Sequence, residues 1–204
     1  MKNLWLSAAL VNLSVILPSL AADHELIASG AKLQELGTGY KFTEGPAADS
    51  QGNVYFTDQP NDRIMVWSID GSVREFMKPC GRSNGLFFDK QGHLWACADE
   101  KNQLWKISPD KKPTVVVEKI GGKLLNGPND LWIHPHGAVY FTDPLYKRKY
   151  WTRGPQELPK AVYRLAPGAE AEPQRLDEDF KQPNGIVGTP DGKQLYVADI
   201  GDRK

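Results

Sequence analysis

Asn129-Asp130-Leu131-Trp132-Ile133-His134-Pro135-His136-Gly137-Ala138-Val139-Tyr140-Phe141-Thr142-Asp143 reads as two short strands folded back on each other. The apolar and aromatic runs are too short for helices, and Pro with Gly between them is hairpin chemistry. The spacing predicts strands over 129–133 and 138–142. Working outward, the same register recurs: a polar side chain stands eight residues ahead of a turn glycine at Glu44 and Gly52, Asn84 and Gly92, Asn129 and Gly137, and Asn184 and Gly192. Each glycine opens a run that closes on an aspartate, NVYFTD to Asp58, HLWACAD to Asp99, AVYFTD to Asp143 and KQLYVAD to Asp199.

Successive turn glycines lie 40, 45 and 55 residues apart. That period suits a four-stranded propeller blade and exceeds leucine-rich and helical repeats. Two outer strands are expected in each of the first two repeats, over 63–67 with 73–76 and over 103–107 with 114–118. The expected fold class is therefore all-β, a β-propeller of four-stranded blades. Helical spacing of apolar positions is nowhere sustained.

The 204 residues carry 25 basic and 25 acidic side chains, a balance that gives no reason to expect a nucleic-acid partner. Lys2, the apolar run Leu4 to Leu17 and the small-residue segment Pro18 to Ala22 resemble a secretory signal peptide over 1–22, cut after Ala21 or Ala22. The run is shorter than the ~20 residues that span a bilayer, so no stable membrane insertion is expected once it is removed. The expected location is periplasmic or secreted. Export permits a disulfide between Cys80 and Cys97, and two unbridged buried thiols are the alternative.

The remaining segment, 23–204, delivers only two strands of its fourth repeat, which makes about three and a half blades. The sequence reads as the N-terminal part of a longer propeller. A small four-bladed ring, with Glu25 to Leu36 supplying the missing outer strands, is the alternative.

First strands line the channel of a propeller, so residues at one register meet at one depth. Glu44, Asn84, Asn129 and Asn184 would then converge at one mouth. One carboxylate with several carboxamide oxygens is a hard-oxygen set that suits Ca²⁺ better than zinc. Asn is also a favoured turn residue, but the four contexts differ too much for one shared turn. Asn126 is read as a turn residue. The aspartates closing the second strands, Asp58, Asp99, Asp143 and Asp199, are expected to cap loop N–H groups. His93, His134 and His136 fall in turns at the other end. The basic and aromatic insertion Pro144 to Lys160 leaves from the metal-side face, either to contact a polyhydroxylated or acidic ligand or as a solvated loop.

Taken together, Phe42-Thr43-Glu44-Gly45-Pro46, Asn126-Gly127-Pro128-Asn129-Asp130-Leu131, Tyr140-Phe141-Thr142-Asp143-Pro144 and Gln182-Pro183-Asn184-Gly185-Ile186 resemble the gluconolactonase branch of the SMP-30/gluconolactonase/LRE-like family. The resemblance runs from about Leu33 to Lys204. It implies a six-bladed propeller that hydrolyses sugar-acid lactones with one divalent metal, Ca²⁺ first, with Zn²⁺, Mg²⁺ and Mn²⁺ as alternatives. Glu44, Asn129 and Asn184 are the implied metal ligands, and Arg82, Asn84 and Asp130 the implied substrate contacts. The implied catalytic base is a downstream aspartate that no residue here matches, so these residues alone are expected to be inactive. The implied partner is a small-molecule lactone. The alternative function is a non-catalytic exported propeller that binds a sugar, peptide or protein.

Overall fold

The computed structural model describes residue 28 and residues 30–152, 154–168, 172–177 and 179–201. The expected signal peptide, 1–22, lies outside them. Two units divide the chain, Met1–Glu35 and Leu36–Lys204, and every described strand belongs to the second. Residues 30–36, part of the segment that a four-bladed ring would need as strands, form none. Among the described residues no helix is long and apolar enough to cross a membrane.

The second unit is all-β. Its first sheet holds β1 (Thr43–Ala48), β2 (Val54–Asp58), β3 (Arg63–Trp67) and β4 (Val73–Met77), and its second β5 (Ser83–Phe88), β6 (Leu94–Ala98), β7 (Gln103–Ile107) and β8 (Pro113–Val117). A small hairpin, β9 (Lys119–Ile120) with β10 (Lys123–Leu124), precedes the third sheet of β11 (Leu131–Ile133), β12 (Val139–Asp143), β13 (Ala161–Leu165) and β14 (Gln174–Asp177). β15 (Pro183–Gly188) and β16 (Leu195–Asp199) pair as a two-stranded sheet. All neighbours within these sheets are antiparallel and in chain order. This is the blade pattern of a propeller, and the expected strands fall within a residue or two of those found.

Alternation along the strands builds the core between sheets. Ile64, Leu86, Leu94, Ala96 and Ile107 join the first two sheets, with Tyr55 edge-on to both Phe76 and Phe88. Leu104, Val117, Leu131, Phe141 and Tyr163 join the second to the third. Trp132, Val162 and Ile186 continue the series into β15. Cys80 and Cys97 are fully buried free thiols, and burial pushes the Cys80 thiol up to about 12.

The capping aspartates hold in three sheets. Asp58 accepts the backbone N–H groups of Lys41 and Phe42, Asp143 those of Asn126 and Gly127, and Asp199 those of Lys181 and Gln182, all at 2.8–3.3 Å. Each therefore ties the loop before a first strand to the end of the second strand. Asp99 departs from this expectation. In the second sheet Ala98 pairs with Ser83 where Asp58 pairs with Thr43 and Asp199 with Pro183, so Asp99 lies one residue past the capping register. Its place is taken by Asp62 of the preceding sheet, whose Oδ1 accepts the Cys80 and Arg82 N–H groups at 3.0 and 2.7 Å.

At the opposite end Asp89 gathers a second set of donors. Burial alone would raise its carboxyl, but donors from Trp95, the His93 backbone, Lys106 and the His93 ring outweigh that and hold it down to about 2. A depressed carboxyl stabilises the fold above its unfolded value and loses that contribution as pH falls through the folded one. Chemical denaturation of wild type and Asp89→Asn should therefore show the wild-type advantage shrinking by about 2 kcal/mol between pH 5 and pH 2. Asp143→Ala, which strands two buried N–H groups, should cost about 2–4 kcal/mol at neutral pH by the same measurement.

Candidate functional site

Glu44, Asn84, Asn129 and Asn184 come from four sheets and line one cavity of about 170 Å³, together with Asp130 and Gly45, Gly85 and Gly185. The convergence expected from the repeat register is thus present in the structure. Local backbone irregularity aims these side chains. In β1, β5 and β15 the pairing slips between Glu44 and Ala47, between Ser83 and Leu86, and between Pro183 and Ile186. Such bulges turn a side chain out of the regular pleat. The third sheet reaches the same end by starting late: β11 begins at Leu131, while Asn129 N donates to Thr142 O at 2.9 Å and Thr142 N to Asp130 O at 3.0 Å.

Two threonines stitch the inner strands together. Thr57 Oγ1 donates to the carbonyls of Glu44 and Asn84 at 3.1 and 3.0 Å, and Thr142 Oγ1 to that of Asn184 at 2.7 Å. The glycines permit the approach. A Cβ on Gly85 would stand 2.7 Å from the Asn129 carbonyl oxygen and would collide with Asp130 Oδ1, and one on Gly45 would collide with the Asn84 carbonyl. Gly85 N in turn donates to Asn129 O at 2.7 Å. Close backbone approach therefore explains the glycine after Glu44 and Asn84.

Asn84 and Asn129 are buried, and among the described residues their carboxamides make no hydrogen bond. Their carboxamides face the polar cavity rather than being sealed off, so they are hydrogen-bonding groups open to water or to a ligand. The Asn184 carboxamide nitrogen donates to the Tyr146 hydroxyl at 2.6 Å, which leaves its oxygen unpaired among the described residues. Glu44, Asn129 and Asn184 can thus offer oxygens to a hard cation without giving up other bonds.

Asp130 adds a second carboxylate to the wall. Desolvation raises it to about 6, against the N–H groups of Ile186 and Leu131, which lower it, and with the charge of Glu44 adding to the rise. Arg82 is not among the lining residues. It adopts a left-handed conformation (φ 46°), donates to Pro60 O and Glu100 Oε1, and stacks its guanidinium 4.4 Å from the centre of the Tyr150 ring. Asn126 is buried in the loop before β11 and donates to the Asp143 and Pro159 carbonyls, outside the cavity. The histidines lie in turns: Asp89 N donates to His93 O, and His134 N to Ala138 O.

Sequence reasoning missed Thr57, Thr142, Asp62 and Tyr146. The repeated VYFTD carried the threonine signal, because a polar residue recurring inside an apolar strand has to have a partner. Nothing local marks Tyr146. Gly85→Ala should drive β5 away from Asn129 and Asp130, lowering stability by about 2–4 kcal/mol in denaturant titration, whereas Gly92→Ala, with open space around its Cβ but a strained φ of 81°, should cost about 1 kcal/mol.

Residues 42–204 match the family described as the SMP-30/gluconolactonase/LRE-like region. A gluconolactonase of Zymomonas mobilis is 30% identical over 183 residues, covering 81% of this chain and 51% of its own. A solved structure provisionally described as a gluconolactonase superimposes with a TM-score of 0.80 at 34% identity, over 87% of this chain and 62% of the other. A gluconolactonase structure from Xanthomonas campestris superimposes with a TM-score of 0.76 at 29% identity, over 81% and 57%. The chain spans about half the length of the curated relative from Zymomonas.

Proposed function

Because the chain belongs to the SMP-30/gluconolactonase/LRE-like family, we infer that it serves lactone hydrolysis, opening the ring of a sugar-acid lactone at the cavity shared by its inner strands. One observation carries this reading: the polar residues singled out by one repeat register line a single cavity, where the Asn84 and Asn129 carboxamides make no hydrogen bond among the described residues. The gluconolactonases of Zymomonas mobilis and Xanthomonas campestris support the substrate class.

Glu44, Asn129 and Asn184 would hold a divalent ion, with Ca²⁺ the best match to one carboxylate and neutral amide oxygens. When bound, that ion supplies electrophilic polarisation of the lactone carbonyl. The chain's own residues do the rest of what is assigned here. Asn84, buried and unpaired beside them, would hydrogen-bond a ring hydroxyl and so fix the substrate's orientation. Asp130 adds negative charge to the same wall and is placed to accept from a second hydroxyl. Thr57 and Thr142 hold the inner strands at fixed spacing, which keeps the set preorganised. Release into an exported compartment is part of the proposal and rests on the leader-like pattern of residues 1–22.

The test is proton release from D-glucono-1,5-lactone by the full-length protein, with Ca²⁺, Zn²⁺, Mg²⁺ or Mn²⁺ added after chelation. Hydrolysis should require an added ion, and Glu44→Gln should lower the rate at least about a hundredfold while thermal stability in chelator stays within a few degrees. Hydrolysis indifferent to every ion, or absent with all four, would overturn the reading.

A further inference from the structure

The insertion between β12 and β13 is fastened at several points, and two of them bear on the cavity. Near its start, Leu145 O accepts from Gln182 Nε2 at 3.1 Å, and at its end Lys160 Nζ donates to Lys181 O and Gln182 Oε1 at 2.8 and 2.7 Å. Both ends therefore grip the segment that enters β15 just before Asn184. Between them Tyr146 accepts from Asn184 Nδ2 at 2.6 Å, and the Arg148 guanidinium covers the Tyr146 ring at 4.8 Å from its centre. Farther along, the Tyr150 hydroxyl donates to Asp99 Oδ2 at 3.0 Å, and Arg148 Nε lies 3.6 Å from the same oxygen.

A carboxamide presents either an oxygen or an NH₂ group to a given side, and only the oxygen is of use to a cation. Asn84 and Asn129 have no partner among the described residues to decide between the two. Asn184 has one. We propose that Tyr146 is a positioning residue for Asn184: its hydroxyl, which can accept as well as donate, takes up the NH₂ group when the carboxamide oxygen faces the cavity and so holds that rotation for a cation. This rests on the reading of Asn184 as a cation ligand given above. Tyr146 is itself held by the Arg148 stack and by the anchored Leu145 carbonyl, so the insertion reaches the Asn184 side chain through this hydrogen bond.

The test measures ion affinity rather than turnover, using calorimetric titration of Ca²⁺ and luminescence of Tb³⁺ as a probe of the same oxygens, on full-length protein. Tyr146→Phe keeps the ring under Arg148 and should weaken Ca²⁺ binding about tenfold, with an added water on bound Tb³⁺ in lifetime measurements. In an Asn184→Asp background, where either rotation presents an oxygen, removing the hydroxyl should change affinity less than about twofold. Equal losses in both backgrounds would mean that the insertion has merely loosened, and would overturn the inference. So would an unchanged affinity in Tyr146→Phe beside a weakened Asn184→Ala. If wild type takes up neither ion, the cation reading and this inference fall together.

Discussion

Backbone meets backbone where the inner strands of neighbouring sheets touch, and the rest of the unit is arranged around that contact. At Gly85 the N–H donates to the Asn129 carbonyl across the sheet boundary, and there is no room for a Cβ. At Gly45 the neighbour is the Asn84 carbonyl. Strands this close cannot keep a regular pleat, because a side chain on every second residue would have to pass through the boundary. The bulges at Glu44, Asn84 and Asn184 are the geometric answer. At Glu44 and Asn84 they leave glycine at the contact, and at all three they send the polar side chain into the cavity. The cavity is thus a consequence of how the sheets pack, and its lining residues share one level because the contact fixes it.

Polar groups close the backbone account that this packing leaves open. The Thr57 hydroxyl lies within hydrogen-bond reach of a carbonyl on its own sheet and of one on the next, so its single proton is shared across the boundary. The aspartates at the ends of the second strands accept from the loops leading in. The second sheet differs, and its difference is informative. Ala98 stands at the capping register, Asp62 caps the loop from the neighbouring sheet, and Asp99 lies one residue further on. It faces Gln59, Tyr150 and Arg148 instead. A one-residue shift of the aspartate thus brings a buried carboxylate within reach of two side chains of the insertion.

Much of this was legible in the residues. The interval between turn glycines located the sheets, and the polar residue eight positions ahead of each glycine located the cavity, because repeat geometry converts equal spacing along the chain into equal depth in the fold. The exception at Asp99 was also written there. Asp58 and Asp143 each follow their glycine by six residues, whereas Asp99 and Asp199 follow by seven. In the fourth hairpin a longer turn, closed by Thr189 N on Gln194 O, absorbs the extra residue. In the second hairpin the turn closes on His93 O as usual, and the extra residue shifts the aspartate instead. Spacing alone does not distinguish these outcomes, since both begin with an added residue. Tyr146 was illegible for another reason. Its partner lies 38 positions away, and an insertion has no repeat register from which to infer where its side chains go.

The charge of the cavity is where the residues were most easily misjudged. Counting along the repeat register gives one carboxylate, Glu44, among three carboxamides. The structure adds Asp130 to the same wall, close enough for the charge of Glu44 to raise it. The two carboxylates do different work. Asp130 has an N–H on each oxygen, Leu131 on one and Ile186 on the other, so its position is set by the backbones of β11 and β15. Glu44 makes no side-chain hydrogen bond among the described residues and is free to meet whatever enters. Two carboxylates on one wall, one of them held by backbone N–H groups, would favour a cation over a neutral guest. Neutral amide oxygens at the other register positions would add coordination to such a cation without adding repulsion between the donors.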